Sequence, residues 1–365
     1  MGDSEFAGRR RAVAEGLTAR KLDAFLVAFS PNLRYLTGFT GSNGNLLLTA
    51  GRSILFTDPR YTIQAGEETA GAGGLRIRIA GGPLVPAVAA AIARLGVRRI
   101  GYEPARMTCD HLDALHSSLP MRAALQPVNG WVEQLRMVKA PVEIERIRRS
   151  VGTNSRAFEQ AAARVRPGMK ERDLAAELEY RMRRLGAEKP AFETIVAGGA
   201  RSALPHAQPT SAALKSGDLV VVDMGAMEQG YASDMTRMLF LGSPGAKVKR
   251  AYGAVLEAQL AAVDAVRAGV LAGRVDAAAR SVLKRHGLDR AFIHSTGHGL
   301  GLEIHEPPRI GKRDKTRLQA GMAITIEPGV YLEGWGGIRI EDTVVVTETG
   351  CEVLTRTSKE LRVIE

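Results

Sequence analysis

Two aspartates stand on either side of a short polar turn in the middle of the chain. Asp223 ends a run of valines in residues 220–237 (VVVDMGAMEQGYASDMTR), and Asp234 lies beyond the turn. A turn centred between Glu228 and Gln229 would place the aspartates directly opposite each other on a β-hairpin, with Cβ atoms roughly 4.5–5.5 Å apart. Carboxylates that close on an apolar sheet need a cation between them, or one must stay protonated. The alternative is a hairpin with two solvated acids.

A second segment repeats this arrangement about a hundred residues later. In residues 327–342 (EPGVYLEGWGGIRIED), Glu327 and Glu341 are symmetric about Gly334, and the glycines between them provide a wide turn. Both glutamates can therefore return to one face. Alternation along residues 337–345 places Arg339 on the same face as Glu341. By itself Glu341 could be an edge-strand acid, but a fourth symmetric acid favours a shared site.

A histidine in a glycine-rich segment completes the set of candidate ligands. His298 lies in residues 295–308 (STGHGLGLEIHEPP), seven residues before His305, and the neighbouring glycines let the backbone approach a centre closely. Four ionised carboxylates would be balanced by two divalent cations, and one imidazole adds a neutral ligand. This donor set favours Mn²⁺ first, with Co²⁺, Fe²⁺ or Zn²⁺ as alternatives.

Such a pair of metal ions predicts hydrolysis without a covalent intermediate. Two ions about 3.5–4 Å apart can share a bridging water, lower its pKa and polarise a substrate carbonyl. The sequence contains no GxSxG motif, and neither of its two cysteines, Cys109 and Cys351, lies in a catalytic motif. Nucleophilic catalysis therefore has no support.

An internal repeat indicates how the fold delivers these acids. VRPG (165–168) recurs as VRAG (266–269), Leu185-Gly186 recurs as His286-Gly287, and GDLVVVDMG (217–225) recurs as GMAITIEPG (321–329). The last match places Asp223 on Glu327. The common order and similar spacing favour a duplication. We expect two similar α/β halves whose sheets meet, each half supplying an acid to a shared centre.

Composition and the positions of turn-forming residues suggest two domains. The chain has 365 residues, of which 45% are hydrophobic, enough for sizeable cores. Helical and extended patterns alternate over residues 1–128, although residues 30–32 (SPN) indicate a turn followed by a short strand. Residues 129–140 are predicted to be a linker and residues 141–365 the second domain.

The same composition argues against several classes of partner and address. The net charge is +11, but no zinc-finger spacing or aromatic-interleaved basic stripe occurs, so the charge is interpreted as a solubility trait rather than a nucleic-acid site. Two distant cysteines exclude a disulfide framework. No apolar run approaches ~20 residues, and the N-terminal MGDSEFAGRRR is polar. We expect no membrane contact and a cytoplasmic location.

These segments resemble a known family. ALPHA (203–207), DMG (223–225), YASDMTR (231–237), GHGLGLEIHEPP (297–308), TIEPGVY (325–331) and GIRIED (337–342) are similar to the proline-specific pita-bread metallopeptidases, aminopeptidase P and Xaa-Pro dipeptidase (prolidase). RYLTGFTGS (34–42) and LFTDPRYTIQA (55–65) resemble the N-terminal domain of that family. The resemblance implies an α/β (α+β) fold, with a creatinase-like N-terminal α/β domain followed by a pseudo-symmetric pita-bread catalytic domain.

The resemblance also implies roles for the metal ligands. Asp223 would bind the first metal, while Asp234 and Glu341 would bridge both. His298 and Glu327 would complete the second metal. Glu327 would also handle the proton of the nucleophilic water.

Further residues match positions around the centre of that family. His206 and His305 would steady the substrate carbonyl and the tetrahedral intermediate, and Arg339 would pair with an acidic ligand. Tyr231 is expected to help line the site. Arg309 matches an arginine with which some prolidases hold a free carboxylate; its alternative is a surface residue.

The activity implied is hydrolysis of the Xaa-Pro bond at the N-terminus of short peptides. An Xaa-Pro aminopeptidase is favoured, with an Xaa-Pro dipeptidase as the alternative, and the resemblance implies a homodimer. Creatinase shares the fold without the metal ligands, and methionine aminopeptidase normally lacks the first domain. A metal-free binding module on the same fold is less favoured, because all five ligand positions are kept.

Overall fold

The computed structural model describes residues 5–365, so the first four residues of the polar N-terminal segment lie outside the described residues. The chain divides into two compact units between Arg136 and Met137. This point falls inside the predicted linker 129–140, where the structure has the helix Trp131–Met137. The exact domain limits proposed from the sequence stay a prediction.

A mixed six-stranded sheet forms the centre of the first unit. The strands are β1 (Ala24–Val27), β2 (Gly44–Thr49), β3 (Ser53–Thr57), β4 (Leu75–Ile79), β5 (Arg99–Tyr102) and β6 (Ala124–Pro127). They follow the spatial order β4-β3-β2-β1-β5-β6, and Leu26, Leu47, Phe56 and Ile92 pack in a core between the sheet and a helix. The helices are α1 (Glu5–Ala19), α2 (Ser30–Thr37), α3 (Thr62–Thr69), α4 (Leu84–Leu95), α5 (Cys109–Ser118) and α6 (Trp131–Met137).

The second unit contains two larger sheets, each preceded in the chain by a helix pair. The first half has α7 (Pro141–Ala162), α8 (Glu171–Arg184), β7 (Lys189–Pro190), β8 (Ile195–Gly198), β9 (Leu219–Met224), β10 (Ala226–Glu228), β11 (Tyr231–Ala232) and β12 (Met235–Leu241). The second half has α9 (Ala246–Asp264), α10 (Ala272–Arg285), β13 (Gly297–Gly299), β14 (Glu306–Ile310), β15 (Ala323–Ile326), β16 (Gly329–Leu332), β17 (Gly336–Arg339), β18 (Asp342–Val346), β19 (Cys351–Val353) and β20 (Arg362–Ile364). The larger sheets have the orders β20-β12-β9-β8 and β14-β13-β15-β18-β19.

The two halves repeat the same backbone hydrogen bonds, which supports the predicted duplication. In the first half, the Gly168 amide donates to the Leu214 carbonyl at 2.8 Å, and the Leu214 amide donates to Met169 at 2.8 Å. In the second half, Gly269 donates to Leu318 at 2.8 Å, and Leu318 donates to Val270 at 2.8 Å. Both glycines have positive φ, 89° and 82°, which glycine adopts without steric cost.

The two sheets meet where the acidic segments lie. The Glu341 amide donates to the Thr236 carbonyl at 3.2 Å, which joins β12 of the first half to the start of β18 in the second. Large apolar side chains from both halves form one continuous core behind this junction, including Val221, Met238, Ile324 and Ile340. Within residues 5–365, no helix combines the length and the apolar character needed to cross a membrane.

Candidate metal centre and active-site cleft

The first hairpin brings Asp223 and Asp234 to one face, in a register that differs from the prediction. Asp223 pairs with Thr236, and Glu228 pairs with Tyr231. The turn is therefore centred between Gln229 and Gly230, which both have positive φ, as a tight primed turn requires. The predicted direct opposition of the aspartates is wrong. Since the offset is two residues, the face is preserved, and Asp234 lies diagonal to Asp223.

The second hairpin has the predicted register. Gly329 pairs with Arg339 across the turn, and Ile326 pairs with Asp342 further along. Both pairings are symmetric about Gly334, so Glu327 lies opposite Glu341. The prediction of two opposed glutamates is confirmed.

Three of these side chains converge on a common point with His298. Ligand atoms of Asp234, His298 and Glu341 all lie within 4.8 Å of one another. The Nε2 atom of His298 is 3.6 Å from Asp234 Oδ2 and 3.5 Å from Glu327 Oε1. Its Nδ1 atom donates to the Gly299 carbonyl at 2.9 Å, so the Nε2 lone pair faces the acids. A histidine fixed in this way is ready to bind a metal ion.

The buried acids carry negative charge that the protein matches only in part. Burial, followed by repulsion from neighbouring acids, raises the pKa of Asp234 and of Glu341 well above their usual values. Burial raises the pKa of Glu327 to about 7, against the opposing effect of Arg339. The Oδ1 atom of Asp223 is buried and has no hydrogen-bond partner among the described residues. Unmatched carboxylate oxygens around a neutral imidazole fit divalent cations.

Arg339 holds the acidic cluster from one side. Its guanidinium donates to Asp223 Oδ2 at 2.6 Å and to the Thr236 hydroxyl at 3.0 Å. The Thr236 hydroxyl donates in turn to Glu341 Oε2 at 2.7 Å. Arg339 therefore lies, as expected, beside an acidic candidate ligand, and it fixes two of them.

A cleft opens over this cluster. The cavity has a volume of about 660 Å³ and is lined by the acids, by His206, His305 and Arg309, and by the apolar side chains Phe192 and Ile304. The His305 ring meets the His298 ring edge to face, with centroids 4.5 Å apart. Arg309 pairs with His298 in the ladder between β13 and β14. The cleft thus places three exposed polar side chains next to the buried acids.

Comparisons with known proteins assign the chain to a family. Residues 145–348 match the description "Metallopeptidase family M24", and residues 9–138 match "Creatinase/Prolidase N-terminal domain". The chain belongs to metallopeptidase family M24. Along the chain, a creatinase-type N-terminal domain is followed by a domain with the pita-bread fold of that family.

Individual M24 relatives are similar over nearly the whole chain. An Xaa-Pro dipeptidase of Pyrococcus horikoshii is 36% identical over 96% of this chain and 97% of its own length. The solved Xaa-Pro dipeptidase from Bacillus anthracis is 38% identical, with a TM-score of 0.94 over 99% of both chains. The X-Pro aminopeptidase from Thermotoga maritima is also 38% identical, with a TM-score of 0.88 over 94% of this chain and 98% of that one.

One residue expected in this M24 site lies elsewhere. Tyr231 is buried, it is not among the residues that line the cleft, and its hydroxyl donates to Glu143 Oε1 at 2.9 Å. It packs with Ile147 and Leu300 under α7. The expectation that Tyr231 lines the site is therefore wrong, because its strand turns the ring toward the helix.

The sequence analysis missed a tyrosine and a histidine beside the cluster. Arg339 donates to the Tyr331 hydroxyl at 2.5 Å, and that hydroxyl donates to His294 Nε2 at 2.9 Å. Burial raises the pKa of Tyr331 to about 12 and lowers the pKa of His294 to about 4, so both are neutral near pH 7. Strand alternation could have indicated Tyr331, since Arg339 pairs with Gly329, two residues before it.

A buried ion pair fixes the loop that carries His305. Lys139 Nζ lies 3.1 Å from Glu306 Oε2, and both side chains are almost fully buried. The Glu303 amide donates to the other Glu306 oxygen at 3.1 Å. Because Glu306 directly follows His305, this pair holds the edge of the cleft in place.

Proposed function

We propose that this M24 protein is a proline-specific exopeptidase that hydrolyses the Xaa-Pro bond at the N-terminus of short peptides. The observation that carries the proposal is the cluster of four largely buried carboxylates and one imidazole beneath an open cleft. Such a cluster needs two divalent cations, with Mn²⁺ the first candidate and Co²⁺, Zn²⁺ or Fe²⁺ as alternatives. The relatives named Xaa-Pro dipeptidase and X-Pro aminopeptidase support the proline specificity.

The proposed ligands are Asp223, Asp234, His298, Glu327 and Glu341. In support, Asp234, His298 and Glu341 have ligand atoms within 4.8 Å of one another, and Asp223 and Glu327 line the same cleft. When bound, the metal ions would supply Lewis acidity and a more acidic water for attack on the peptide carbonyl. Glu327 would help to hold the metal ions, and its carboxylate could accept the proton of the attacking water and pass it to the departing proline nitrogen.

The remaining side chains act on the substrate or on the ligands. His206 and His305 line the cleft and can donate to the carbonyl oxygen as negative charge develops there. Arg339 fixes the orientation of Asp223 and, through Thr236, of Glu341. The apolar part of the cleft, at Phe192 and Ile304, excludes water and suits a proline ring.

A dipeptidase is the second candidate, and Arg309 favours it. A dipeptidase must hold the free carboxylate of Xaa-Pro, and Arg309 is an exposed guanidinium on the cleft wall next to His298. A tripeptide substrate would instead extend past this position. The two activities therefore differ in whether the enzyme requires a free carboxylate on the proline or accepts a peptide that continues beyond it.

Metal binding is tested with Asp234→Ala. We expect loss of most activity and of metal, because Asp234 has a ligand atom within 4.8 Å of those of both His298 and Glu341. Metal content is measured by mass spectrometry after dialysis, and activity is measured with added Mn²⁺, Co²⁺ or Zn²⁺. Glu348→Ala, at an exposed loop carboxylate, is the control for a general effect of acid removal. Normal turnover of Asp234→Ala would contradict the proposed centre.

Substrate length is tested by steady-state kinetics on Xaa-Pro and Xaa-Pro-Yaa peptides. For an aminopeptidase, tripeptides are cleaved and Arg309→Ala changes kcat/KM little. For a dipeptidase, only dipeptides are cleaved, and Arg309→Ala lowers kcat/KM for them by roughly 10²-fold, mainly through KM. Arg309→Lys keeps the charge without the paired donors, and Arg290→Ala, at an exposed arginine that does not line the cleft, is the control.

We also infer a homodimer in the cytoplasm with short proline-containing peptides as its partners, and no nucleic acid. Sedimentation equilibrium tests the dimer. Cell fractionation tests the location.

A further inference from the structure

The first unit ends in an open strand edge with an unusual alternation of side chains. Strand β4, LRIRI, is the outermost strand of the six-stranded sheet, paired only with β3 among the described residues. Arg76 and Arg78 are exposed, and Ile77 and Ile79 are 38% and 36% exposed. Because strand residues alternate between faces, one face of this edge is cationic and the other is apolar.

Arginines from three elements gather on the cationic face. A groove of about 430 Å³ is lined by Arg52, Arg76, Arg78 and Arg94 together with the apolar residues Ile54, Ala91 and Leu95, and it reaches Ile77 at the strand edge. No acidic side chain lines this groove, and none of the four arginines forms an ion pair within residues 5–365. This cluster accounts for part of the +11 net charge that the peptidase activity does not use.

The main-chain groups of β4 show which residues a partner would meet. The Ala80 amide donates to the Thr57 carbonyl of β3 at 2.8 Å. In a parallel ladder, alternate residues direct both their N–H and C=O groups to the same neighbour. Arg76, Arg78 and Ala80 therefore bond to β3, and the N–H and C=O groups of Ile77 and Ile79 point to the free edge.

We propose that this edge binds an extended acidic segment of another protein, which adds to the sheet as a seventh strand. Its acidic side chains would lie beside Arg76 and Arg78, and its apolar side chains beside Ile77 and Ile79. A second copy of the chain fits poorly, since pairing two β4 strands brings arginines together. Nucleic acid would use the arginines but not the open main-chain groups or the isoleucines.

Binding is tested with the full-length protein and an N-acetylated, proline-free peptide in which glutamate and valine alternate. A peptide of the same composition with its glutamates in one block is compared, and a single-stranded oligonucleotide serves as the third probe. We expect the alternating peptide to bind more tightly than the other two, with an affinity that falls as salt rises. Equal binding of both peptides, no binding, or tighter binding of the oligonucleotide overturns the proposal.

Two variants separate strand addition from simple charge attraction. Arg76→Glu/Arg78→Glu should weaken binding of the alternating peptide by roughly tenfold or more, whereas Arg166→Glu/Arg184→Glu, with the same charge change on the other unit, should not. Ile77→Pro removes an N–H that faces the free edge and spares the bonds to β3, so it should also weaken binding. Thermal unfolding and peptidase activity monitor folding of each variant. Unchanged binding by folded Ile77→Pro, or a change of oligomeric state in the Arg76→Glu/Arg78→Glu variant, overturns strand addition to a foreign segment.

Discussion

At the scale of single residues, the acids of the metal centre oppose folding when no cation balances them. Asp234, Glu327 and Glu341 hold their protons more tightly in the folded protein than their ordinary pKa values would allow. Burial is the largest cause for each, and repulsion between the acids adds to it. The residues that we propose as metal ligands therefore make the metal-free protein sensitive to pH.

This sensitivity predicts the sign of the pH dependence of stability. Between the usual carboxyl pKa of 4.5 and about 7, the folded metal-free protein holds the Glu327 proton and the unfolded chain does not. The contribution of Glu327 to the free energy of unfolding should therefore fall as pH rises through this range, by up to about 1.4 kcal/mol per pH unit. His294, whose pKa burial lowers to about 4, contributes in the opposite sense up to its usual pKa of 6.5, so the effect of Glu327 is measured as the difference between the parent protein and Glu327→Gln. Urea unfolding of chelator-treated protein from about pH 5 to pH 8 measures this slope.

Two controls identify the source of the slope. Glu327→Gln should reduce the fall of stability with pH by the contribution of one proton, because the amide does not titrate while Asp234 and Glu341 still do. Saturating Mn²⁺ should reverse it, since metal ions bind the deprotonated acids and stabilise the folded state more at higher pH. Equal slopes for the metal-free parent protein and Glu327→Gln would contradict the raised pKa of Glu327.

Residue types at the centre could be predicted from the sequence, whereas orientations could not. The charge argument placed the four acids and His298 together. In the structure, Asp234, His298 and Glu341 form a cluster, Glu327 lies 3.5 Å from His298, and Asp223 lines the same cleft. Tyr231 shares a hairpin with Asp234, but its ring points to α7, where Glu143 accepts its hydroxyl hydrogen bond. Which side of a strand faces the helix depends on tertiary packing, so the sequence alone did not show whether the Tyr231 ring faces the cleft or α7.

At the scale of elements, the alternation of side chains along a strand kept the site prediction correct despite an error in the predicted register. The predicted turn was displaced by one residue, and the pairing of Asp223 changed by two. Both aspartates stayed on one face because the strand period is two. A displacement of the pairing by one residue would have separated them.

For helix α2 the sequence prediction was wrong. Ser30-Pro31-Asn32 was interpreted as a turn, but Pro31 occupies the first turn of a helix, where its missing N–H costs nothing.

Close packing of β13 against β15 predicts the effect of Gly297→Ala. A Cβ atom at Gly297 would lie 1.9 Å from the Thr325 carbonyl oxygen, so one of the strands must move. We expect a loss of about 3 kcal/mol or more in the free energy of unfolding, at the upper end for an overpacked core. Mn²⁺ affinity should fall with it, because His298 is the next residue. Urea unfolding and calorimetric titration measure both effects.

Gly253→Ala is the matched control for this substitution. Gly253 lies inside α9, and an added Cβ atom would contact nothing within 4 Å. Alanine in a helix interior should raise the free energy of unfolding by about 0.5–1 kcal/mol and leave Mn²⁺ affinity unchanged. If Gly297→Ala behaved like this control, β13 would not be held by β15 as the structure indicates.

At the scale of the whole catalytic unit, a buried ion pair joins the two halves directly behind the metal centre. Arg237 of β12 donates to Asp342 Oδ1 of β18 at 2.7 Å and to the carbonyls of Thr236 and Glu341. Both charged side chains are almost completely buried. The predicted duplication accounts for such a link, because each half contributes proposed ligands and neither half contains all of them.

Arg237→Met should therefore weaken both folding and metal binding. We expect a loss of about 3 kcal/mol, the lower end for a broken buried pair, because Lys359 and Gln259 still contact Asp342. Lys359→Met should lower the free energy of unfolding by less, since Lys359 is partly exposed and does not donate to the carbonyls of Thr236 or Glu341.

Adding Asp342→Leu to Arg237→Met should restore part of the stability by removing the unpaired acid. Urea unfolding with and without Mn²⁺ then separates the two effects. The double variant should regain stability but not Mn²⁺ affinity, because the Glu341 carbonyl still lacks the Arg237 donor and the Thr236 carbonyl keeps only the Glu341 amide. Full Mn²⁺ affinity in folded Arg237→Met would show that the ligands are positioned without this link.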